Sequence, residues 1–188
     1  MNKLLKKADA FALKWHKGQF RDNGITPYIE HPRRVFQKLN HDWNFAINED
    51  IKDFRPIPDT YLVVALLHDV LEDTKVTEEE IKKEFGDKVL KCVKILTHYP
   101  EVKKTDYIAN IANQEDLWLC VIKYADRICN TWDFIFNHKI HYAGIYLHKA
   151  DLIWNRLQKN KDVLGKAWFE HIADDKRELE YMIYGKLG

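Results

Sequence analysis

The sequence predicts an all-α protein. Apolar residues recur at helical spacing along most of the chain, whereas the two-residue alternation of a half-buried strand is weak throughout. Only 7 glycines and 5 prolines are spread over 188 residues, which argues against a loop-rich β protein. A chain of this length that is 46% hydrophobic can bury a sizeable core without disulfides, so we expect a single domain over residues 1–188.

Charge and cysteine content narrow the class of protein. The formal net charge of +1 gives no general electrostatic basis for binding a nucleic acid polymer or an anionic membrane. The three cysteines, Cys92, Cys120 and Cys129, form no CxxC pair, so we expect reduced thiols in a soluble cytoplasmic protein. Charges interrupt the apolar residues of the N-terminal segment, which is therefore predicted to be neither a signal peptide nor a membrane span.

The first part of the chain predicts two helices separated by a turn-rich loop. The first helix has one apolar stripe, made of Leu4, Leu5, Ala8, Phe11, Ala12 and Trp15. Gly18 is expected to end it, and the loop that follows contains the turn residues Asn23-Gly24 and Pro27. Pro32 suits the first turn of a short second helix. Residues 41–58 have no clear period and are predicted to form an ordered loop, with at most a short helical piece.

The remaining segments are also predicted to be helical. A helix over about residues 59–72 is followed by a new start, where Thr77 and Glu80 have capping-box spacing, and by a stop at Gly86. Further helical patterns cover 87–98, 105–114 and 115–132, and two more helices are expected between about 142 and 184. The 115–132 helix has a core stripe, made of Trp118, Val121, Ile122, Ala125, Ile128, Cys129 and Trp132.

The stretch "VVALLHDVLEDT" joins an apolar run to four polar groups, at His68, Asp69, Glu72 and Asp73. On one continuous helix, at about 100° per residue, the four groups share an arc of less than half the circumference. Buried acids are costly unless they are paired or bound to a metal, and the macrodipole disfavours carboxylates at a helix C-terminus. An imidazole beside a carboxylate suits divalent manganese, iron or zinc. The segment therefore indicates part of a metal site, with an exposed acidic helix end as the alternative.

Two other positions are candidates for further metal ligands. Asp126 lies at the margin of the core stripe of its helix, with Asn130 one turn later and Lys123 and Arg127 beside it. A salt-bridged acid is the alternative for Asp126. His31 lies in the restrained stretch "PYIEHP", directly before a predicted helix. A surface or core position is the expectation for most of the other histidines.

Three separated motifs carry a family resemblance. They read "HKGQFRDNGITPYIEHP", "ALLHDVLEDTKVTEEEIKKEFGDKV" and "IKYADRICN". In sequence and in order they resemble the hydrolase domain of the RelA/SpoT family, which belongs to the HD-domain phosphohydrolases. The resemblance covers about residues 8–131. It implies a helical HD-domain bundle and a small stand-alone hydrolase that removes the 3′-diphosphate from a guanosine alarmone such as (p)ppGpp.

The resemblance also implies a role for particular residues. One divalent ion, expected to be manganese, would be held by His31, His68, Asp69 and Asp126. The acidic pair Glu72 and Asp73 would position and activate the attacking water. Nucleotide contacts are expected from Arg21 and Asn130, with Lys123 or Arg127 at the phosphates. For Arg127 a structural role, braced against a core acid, is an equal alternative.

Two departures from the family pattern leave the substrate open. Asp22 stands where a lysine is frequent, in a loop with one extra residue, and "ADRICNTW" replaces the "ADRLHNM" of the long enzymes. One alternative is an HD phosphohydrolase acting on an adenosine analogue, another nucleotide or a different phosphate ester. Another is a nucleotide-binding module without turnover, although the intact Glu72 and Asp73 argue against it. The expected partner is a small-molecule nucleotide, and the oligomeric state does not follow from the sequence.

Overall fold

The computed structural model describes residues 2–47 and 57–185. Within these ranges the secondary structure is helical, apart from one isolated β-bridge between Phe20 and Pro27. The predicted all-α class is therefore confirmed. No helix in the described ranges is both long enough and apolar enough to cross a membrane.

Helix packing divides the chain into two compact units, and the first contains residues 2–37 and 57–107. Its helices are α1 (Lys3–Trp15), the start of α2 (Glu30–Ile47), α3 (Asp59–Leu67), α4 (Val70–Asp73), α5 (Glu78–Leu96) and the start of α6 (Lys104–Ala112). α3 packs against both α1 and α5. Because it is enclosed in this way, all its residues from Tyr61 to Leu67 are buried.

The second unit contains the remaining parts of α2 and α6 and the C-terminal helices. These are α7 (Leu117–Phe136), α8 (Ile140–His148), α9 (Asp151–Lys159), α10 (Lys161–Leu164) and α11 (Lys166–Tyr184). α7 packs against α8, α9 and α11, and its residues 119–129 are all buried. The stripe predicted for this helix is thus buried, except that Trp118 and Trp132 are half-buried. The single-domain expectation for residues 1–188 stays a prediction.

Local hydrogen bonds account for the predicted start of α5 and for its kink. The Thr77 side chain accepts from the Glu80 amide, and the Glu80 side chain accepts from the Thr77 amide, which confirms the capping box. Gly86 interrupts the helix with φ 85° and ψ 172°, a conformation that is almost confined to glycine. The predicted stop at Gly86 is therefore a kink, after which the helix continues to Leu96.

The prediction of one continuous helix over about residues 59–72 is wrong. α3 ends at Leu67, His68 and Asp69 form a turn, and α4 begins at Val70. Asp69 has φ −99° and ψ −6°, close to the bridge region in which many active-site residues lie. The apolar spacing hides this break, because Val70 is buried and extends the hydrophobic pattern past it. The predicted angles around a single helix therefore do not apply to the four polar groups.

Two other predicted boundaries are also wrong. α2 is longer than expected and continues to Ile47, so residues 41–47 are helical and do not belong to a loop. The rest of that predicted loop, residues 48–56, lies outside the described residues. Four helices, not two, cover the region from Ile140 to Tyr184. One of the extra breaks is at Gly165, whose φ of 99° is a conformation that other residues rarely adopt.

We predict that Gly86→Ala lowers the free energy of unfolding by about 1–3 kcal/mol. A Cβ at this position would meet no atom within 4 Å, so the penalty comes from the backbone conformation and not from a clash. Chemical denaturation followed by circular dichroism measures the change. Lys83→Ala, an exposed position on the same helix, is the control and should change the free energy by less than about 0.5 kcal/mol. Equal effects from the two substitutions would contradict the proposed strain.

Candidate metal centre

His31 is fixed in the first turn of α2. Its amide donates to the Tyr28 carbonyl at 2.9 Å, and the Glu30 amide donates to the Pro27 carbonyl at 3.1 Å. These two bonds close the turn that the stretch "PYIEHP" predicts. The His31 side chain is only 1% exposed.

His68 and Asp69 occupy the break between α3 and α4. The Nδ1 atom of His68 lies 2.8 Å from the Ala65 carbonyl oxygen. A carbonyl oxygen can only accept, so Nδ1 carries a proton and donates it. The other ring nitrogen, Nε2, lies 3.1 Å from Asp69 Oδ1. The carbonyl of Ala65 thereby orients the ring toward the carboxylate.

The three side chains form a compact group. One ligand atom from each of His31, His68 and Asp69 lies within 4.8 Å of the other two. The His31 Nε2 atom is 3.5 Å from Asp69 Oδ2, and the centroids of the two imidazole rings are 5.4 Å apart. Ligands at about 2.2 Å on opposite sides of one ion would be about 4.4 Å apart, so the group has nearly the required size.

The donor chemistry of this group fits a divalent cation. When the His68 ring is neutral with its proton on Nδ1, its Nε2 atom and Asp69 Oδ1 are two acceptors that face each other. Two acceptors at 3.1 Å require a positive centre between them, either a proton or a metal ion. Imidazole and carboxylate together suit first-row divalent metals. His31, His68 and Asp69 thus lie together in the structure, and their role as metal ligands stays a prediction.

The Tyr28 hydroxyl links this cluster to the acidic pair. It lies 2.9 Å from Asp69 Oδ2 and donates a short hydrogen bond to Asp73 Oδ2. Partial burial, followed by the charges of Asp69 and Asp73, raises the pKa of Tyr28, so the hydroxyl stays protonated and remains a donor. Asp73 is exposed as a whole residue, yet desolvation of its carboxyl group and the charge of Asp69 raise its pKa. The hydrogen bond from Tyr28 opposes that rise.

Glu72 has a different anchor. Its Oε2 atom accepts a hydrogen bond of 2.8 Å from the amide of His98, just beyond the end of α5. The two members of the acidic pair therefore have separate supports, a main-chain amide for Glu72 and a tyrosine hydroxyl for Asp73.

Arg21 lies on the loop between α1 and α2. Its amide donates to the Thr26 carbonyl at 2.8 Å, and the Asn23 side chain accepts from the Thr26 amide at 2.9 Å, which confirms the predicted turn. The guanidinium of Arg21 lies 5.3 Å from the centroid of the Tyr28 ring. Arg21 therefore contacts the ring of the same tyrosine whose hydroxyl contacts Asp69 and Asp73. Its predicted contact with the nucleotide stays a prediction.

The other predicted site residues lie on α7, in the second unit. Asp126 is 3% exposed, and its Oδ2 atom is 2.8 Å from Lys123 Nζ. The Asn130 side chain donates to Asp126 Oδ1 at 2.5 Å. The Arg127 guanidinium lies 4.6 Å from the centroid of the Tyr146 ring, which is an aromatic partner and not the core acid of the structural alternative. Asp126 as a fourth metal ligand, and the substrate contacts of Lys123, Arg127 and Asn130, stay predictions.

Sequence reasoning missed three residues around the acidic pair. Tyr28 is the residue that reaches both Asp69 and Asp73. The rings of His16 and Tyr28 are stacked with their centroids 4.7 Å apart, and Gln19 donates to the Asp73 carbonyl at 2.6 Å. The available signal was positional, because all three residues lie within the quoted motif "HKGQFRDNGITPYIEHP".

Comparisons with known proteins identify a family to which this chain is similar. The family model described as HD domain matches residues 8–139. A GTP pyrophosphokinase rsh from Brucella melitensis is 33% identical over 139 residues, which cover 68% of this chain and 16% of that protein. A guanosine-3′,5′-bis(diphosphate) 3′-pyrophosphohydrolase from Aquifex aeolicus is 35% identical over 132 residues, covering 67% of this chain and 17% of that protein. The match therefore spans less than a fifth of the length of these relatives.

A solved structure supports the fold. It belongs to a protein described as a metazoan ortholog of SpoT that hydrolyzes ppGpp, and it has a TM-score of 0.70 and 23% sequence identity. The likeness covers 95% of this chain and 96% of that one. The predicted helical HD-domain fold and the resemblance to the RelA/SpoT family are confirmed.

We predict that Asp69→Asn lowers the affinity of the protein for Mn²⁺ by at least about 100-fold. Loss of a residue that only supports a metal ligand costs up to about 100-fold, and loss of a ligand itself should cost at least as much. The substitution keeps the shape of the side chain but removes the negative charge at the centre of the cluster. Isothermal titration calorimetry with manganese alone measures the affinity. Asp87→Asn, an exposed acid on α5, is the control and should bind manganese like the unaltered protein. If Asp69→Asn binds manganese with unchanged affinity, the cluster is not the metal site.

Proposed function

Because this chain belongs to the HD-domain family, we propose that it is a metal-dependent phosphohydrolase that removes the 3′-diphosphate from a guanosine alarmone such as (p)ppGpp. The observation that carries the proposal is the nearly buried His31–His68–Asp69 cluster, with the Asp73 carboxylate joined to it through one tyrosine hydroxyl. A site of this kind would bring a water-activating acid close to a bound metal ion. Binding of a nucleotide alone would not require that arrangement.

In this proposal one manganese ion is held by His31, His68, Asp69 and Asp126. Two neutral imidazoles and two carboxylates form a donor set that manganese accepts readily. Such an ion supplies Lewis-acid chemistry, because it lowers the pKa of a water bound to it and neutralises charge on a phosphate oxygen. Asp126 is a suitable fourth ligand because it is a nearly buried carboxylate, and Lys123 and Asn130 are among its partners.

Glu72 and Asp73 would orient the attacking water and accept its proton. A carboxylate is a more effective base when its pKa rises toward the working pH, and Asp73 is shifted in that direction. Glu72 would act mainly in orientation, since the main-chain amide of His98 fixes one of its oxygens. In this proposal Glu72 therefore mainly orients the water, and Asp73 mainly accepts its proton.

The proposed reaction is a hydrolytic phosphoryl transfer. The water oxygen forms a bond to the phosphorus that carries the ribose 3′-oxygen, while the bond between that phosphorus and the 3′-oxygen breaks. The 3′-oxygen gains a proton, so the products from ppGpp are GDP and pyrophosphate. Arg21, with Lys123 or Arg127, would pair with the phosphates, for which the guanidinium fork of arginine is well suited. Asn130 would help to hold the nucleotide, and the cytoplasm is the proposed location.

A second candidate keeps the chemistry and changes the substrate. Asp22 places an acid in the loop that carries Arg21, where the long enzymes frequently have a lysine. A negative charge at this position disfavours a phosphate and favours a less charged nucleotide or another phosphate ester. Guanosine and adenosine bis-diphosphates, assayed side by side with simpler nucleotides, separate the two candidates.

We predict that the purified protein with Mn²⁺ releases pyrophosphate from guanosine 3′,5′-bis(diphosphate) and that a chelator abolishes the release. His68→Ala should reduce the rate to background, because it removes a ligand from the cluster. A coupled pyrophosphate assay measures the rate, and His148→Ala, an exposed histidine outside the proposed site, is the control. Full activity in His68→Ala would show that the reaction occurs at another site.

We also predict that Asp73→Asn lowers kcat by about 10²–10⁴-fold, the usual contribution of a positioned acid or base. Its manganese affinity should change less than about tenfold, because Asp73 is not a proposed ligand. Steady-state kinetics at saturating manganese and calorimetry measure the two quantities. Loss of metal binding without any further loss of kcat would contradict the role proposed for Asp73.

A further inference from the structure

The Tyr28 hydroxyl contacts two carboxylates with different proposed roles. It lies 2.9 Å from Oδ2 of Asp69, a proposed metal ligand, and donates to Oδ2 of Asp73, the proposed proton acceptor. A phenol has one hydrogen, so it can donate fully to only one of the two oxygens at a time. The two carboxylates are therefore coupled through a single atom, and a movement of either one alters the hydrogen bond to the other.

The ring that carries this hydroxyl is fixed by its neighbours. His16 is 3% exposed, and its ring stacks on Tyr28 with an interplanar angle of 19°. The His31 ring packs against Tyr28 at 6.2 Å in a nearly perpendicular arrangement, and the Arg21 guanidinium lies 5.3 Å from the Tyr28 ring centroid. With these contacts, the tyrosine has little freedom to follow a displaced carboxylate.

The same support reaches Asp73 a second time, through its main chain. His16 Nδ1 donates to Gln19 Oε1 at 2.7 Å, and Gln19 Nε2 donates to the Asp73 carbonyl at 2.6 Å. The end of α1 and the loop after it therefore hold Asp73 at both its backbone and its side chain. If Tyr28 served only for packing, the hydrogen bonds from Gln19 and Tyr28 to the backbone and side chain of Asp73 would not be needed.

We propose that Tyr28 is a positioning residue, whose hydroxyl holds two carboxylates in place relative to each other: that of Asp69, a proposed metal ligand, and that of Asp73. The inference rests on the proposed hydrolase function and adds a residue to it. Tyr28 acts through Asp73 and Asp69 and does not itself react. The alternative is that the Tyr28 ring is only a packing element between His16 and His31.

The test is Tyr28→Phe, which removes one oxygen and keeps the ring that His16, His31 and Arg21 contact. Loss of an outer-shell hydrogen bond should lower the affinity for Mn²⁺ about 10-fold or more, measured by calorimetry without any nucleotide. At saturating manganese, kcat for pyrophosphate release should also fall about 10-fold or more, with KM changed less than about threefold. The melting temperature of each variant confirms that it is folded.

A double-mutant cycle separates positioning from packing. Because Tyr28 is proposed to act on kcat through Asp73, adding Tyr28→Phe to Asp73→Asn should lower kcat by less than about twofold further. Tyr181→Phe, which removes the hydroxyl of an exposed tyrosine on α11, is the matched control and should match the unaltered protein. Multiplicative losses in the double variant, or a Tyr28→Phe protein with unchanged kcat or unchanged manganese affinity, would overturn the proposal.

The metal titration keeps this proposal separate from the proposed function. If the unaltered protein binds manganese but releases no pyrophosphate, the proposed substrate fails. The effect of Tyr28→Phe on manganese affinity still decides whether the hydroxyl positions Asp69. A Tyr28→Phe affinity equal to that of the unaltered protein would then overturn the tyrosine proposal by itself.

Discussion

The carboxylate of Asp69 is the constraint on which the first unit depends. Its side chain is only 12% exposed, and the Nε2 atoms of two imidazoles lie 3.1 and 3.5 Å from its oxygens. A charge withdrawn from water to this degree costs on the order of several kcal/mol unless opposite charge and hydrogen bonds compensate it. The orientation of His68 by the Ala65 carbonyl and the hydroxyl of Tyr28 contribute to that compensation, and Asp69 lies in the break between α3 and α4. A divalent cation would complete it.

The helical class, the capping box and the His68–Asp69 pair could be predicted from local sequence because their signals are local. The capping box of Thr77 and Glu80 spans four residues, and His68 and Asp69 are neighbours. His31 was placed through a turn that its own flanking residues close. The break at Asp69 could not be predicted in this way, because the burial of Val70 continues the apolar pattern across it. Periodicity detects which residues are buried, and it does not detect a turn that leaves burial unchanged.

Tyr28 shows why the rest of the site could not be derived. Its hydroxyl meets Asp69 and Asp73, which are 41 and 45 positions later in the chain. Nothing in the spacing of residues 16–31 indicates which later residues will be brought to that hydroxyl. The family resemblance supplied the pairing of His31 with the His-Asp motif, but it carried no role for the tyrosine. Contacts between distant segments depend on how α1 packs against α3, which the sequence pattern does not specify.

Glu72 is held by a main-chain group, so its anchor does not depend on the side chain at that position. The donor is the main-chain amide of residue 98, not a side chain. Almost any amino acid at that position supplies the same N–H, so a substitution there keeps the hydrogen-bond donor of the anchor. Proline is the exception, since it lacks the amide hydrogen. Conservation of the side chain at position 98 therefore carries no information about this anchor, although the backbone there holds one of the two acids in place.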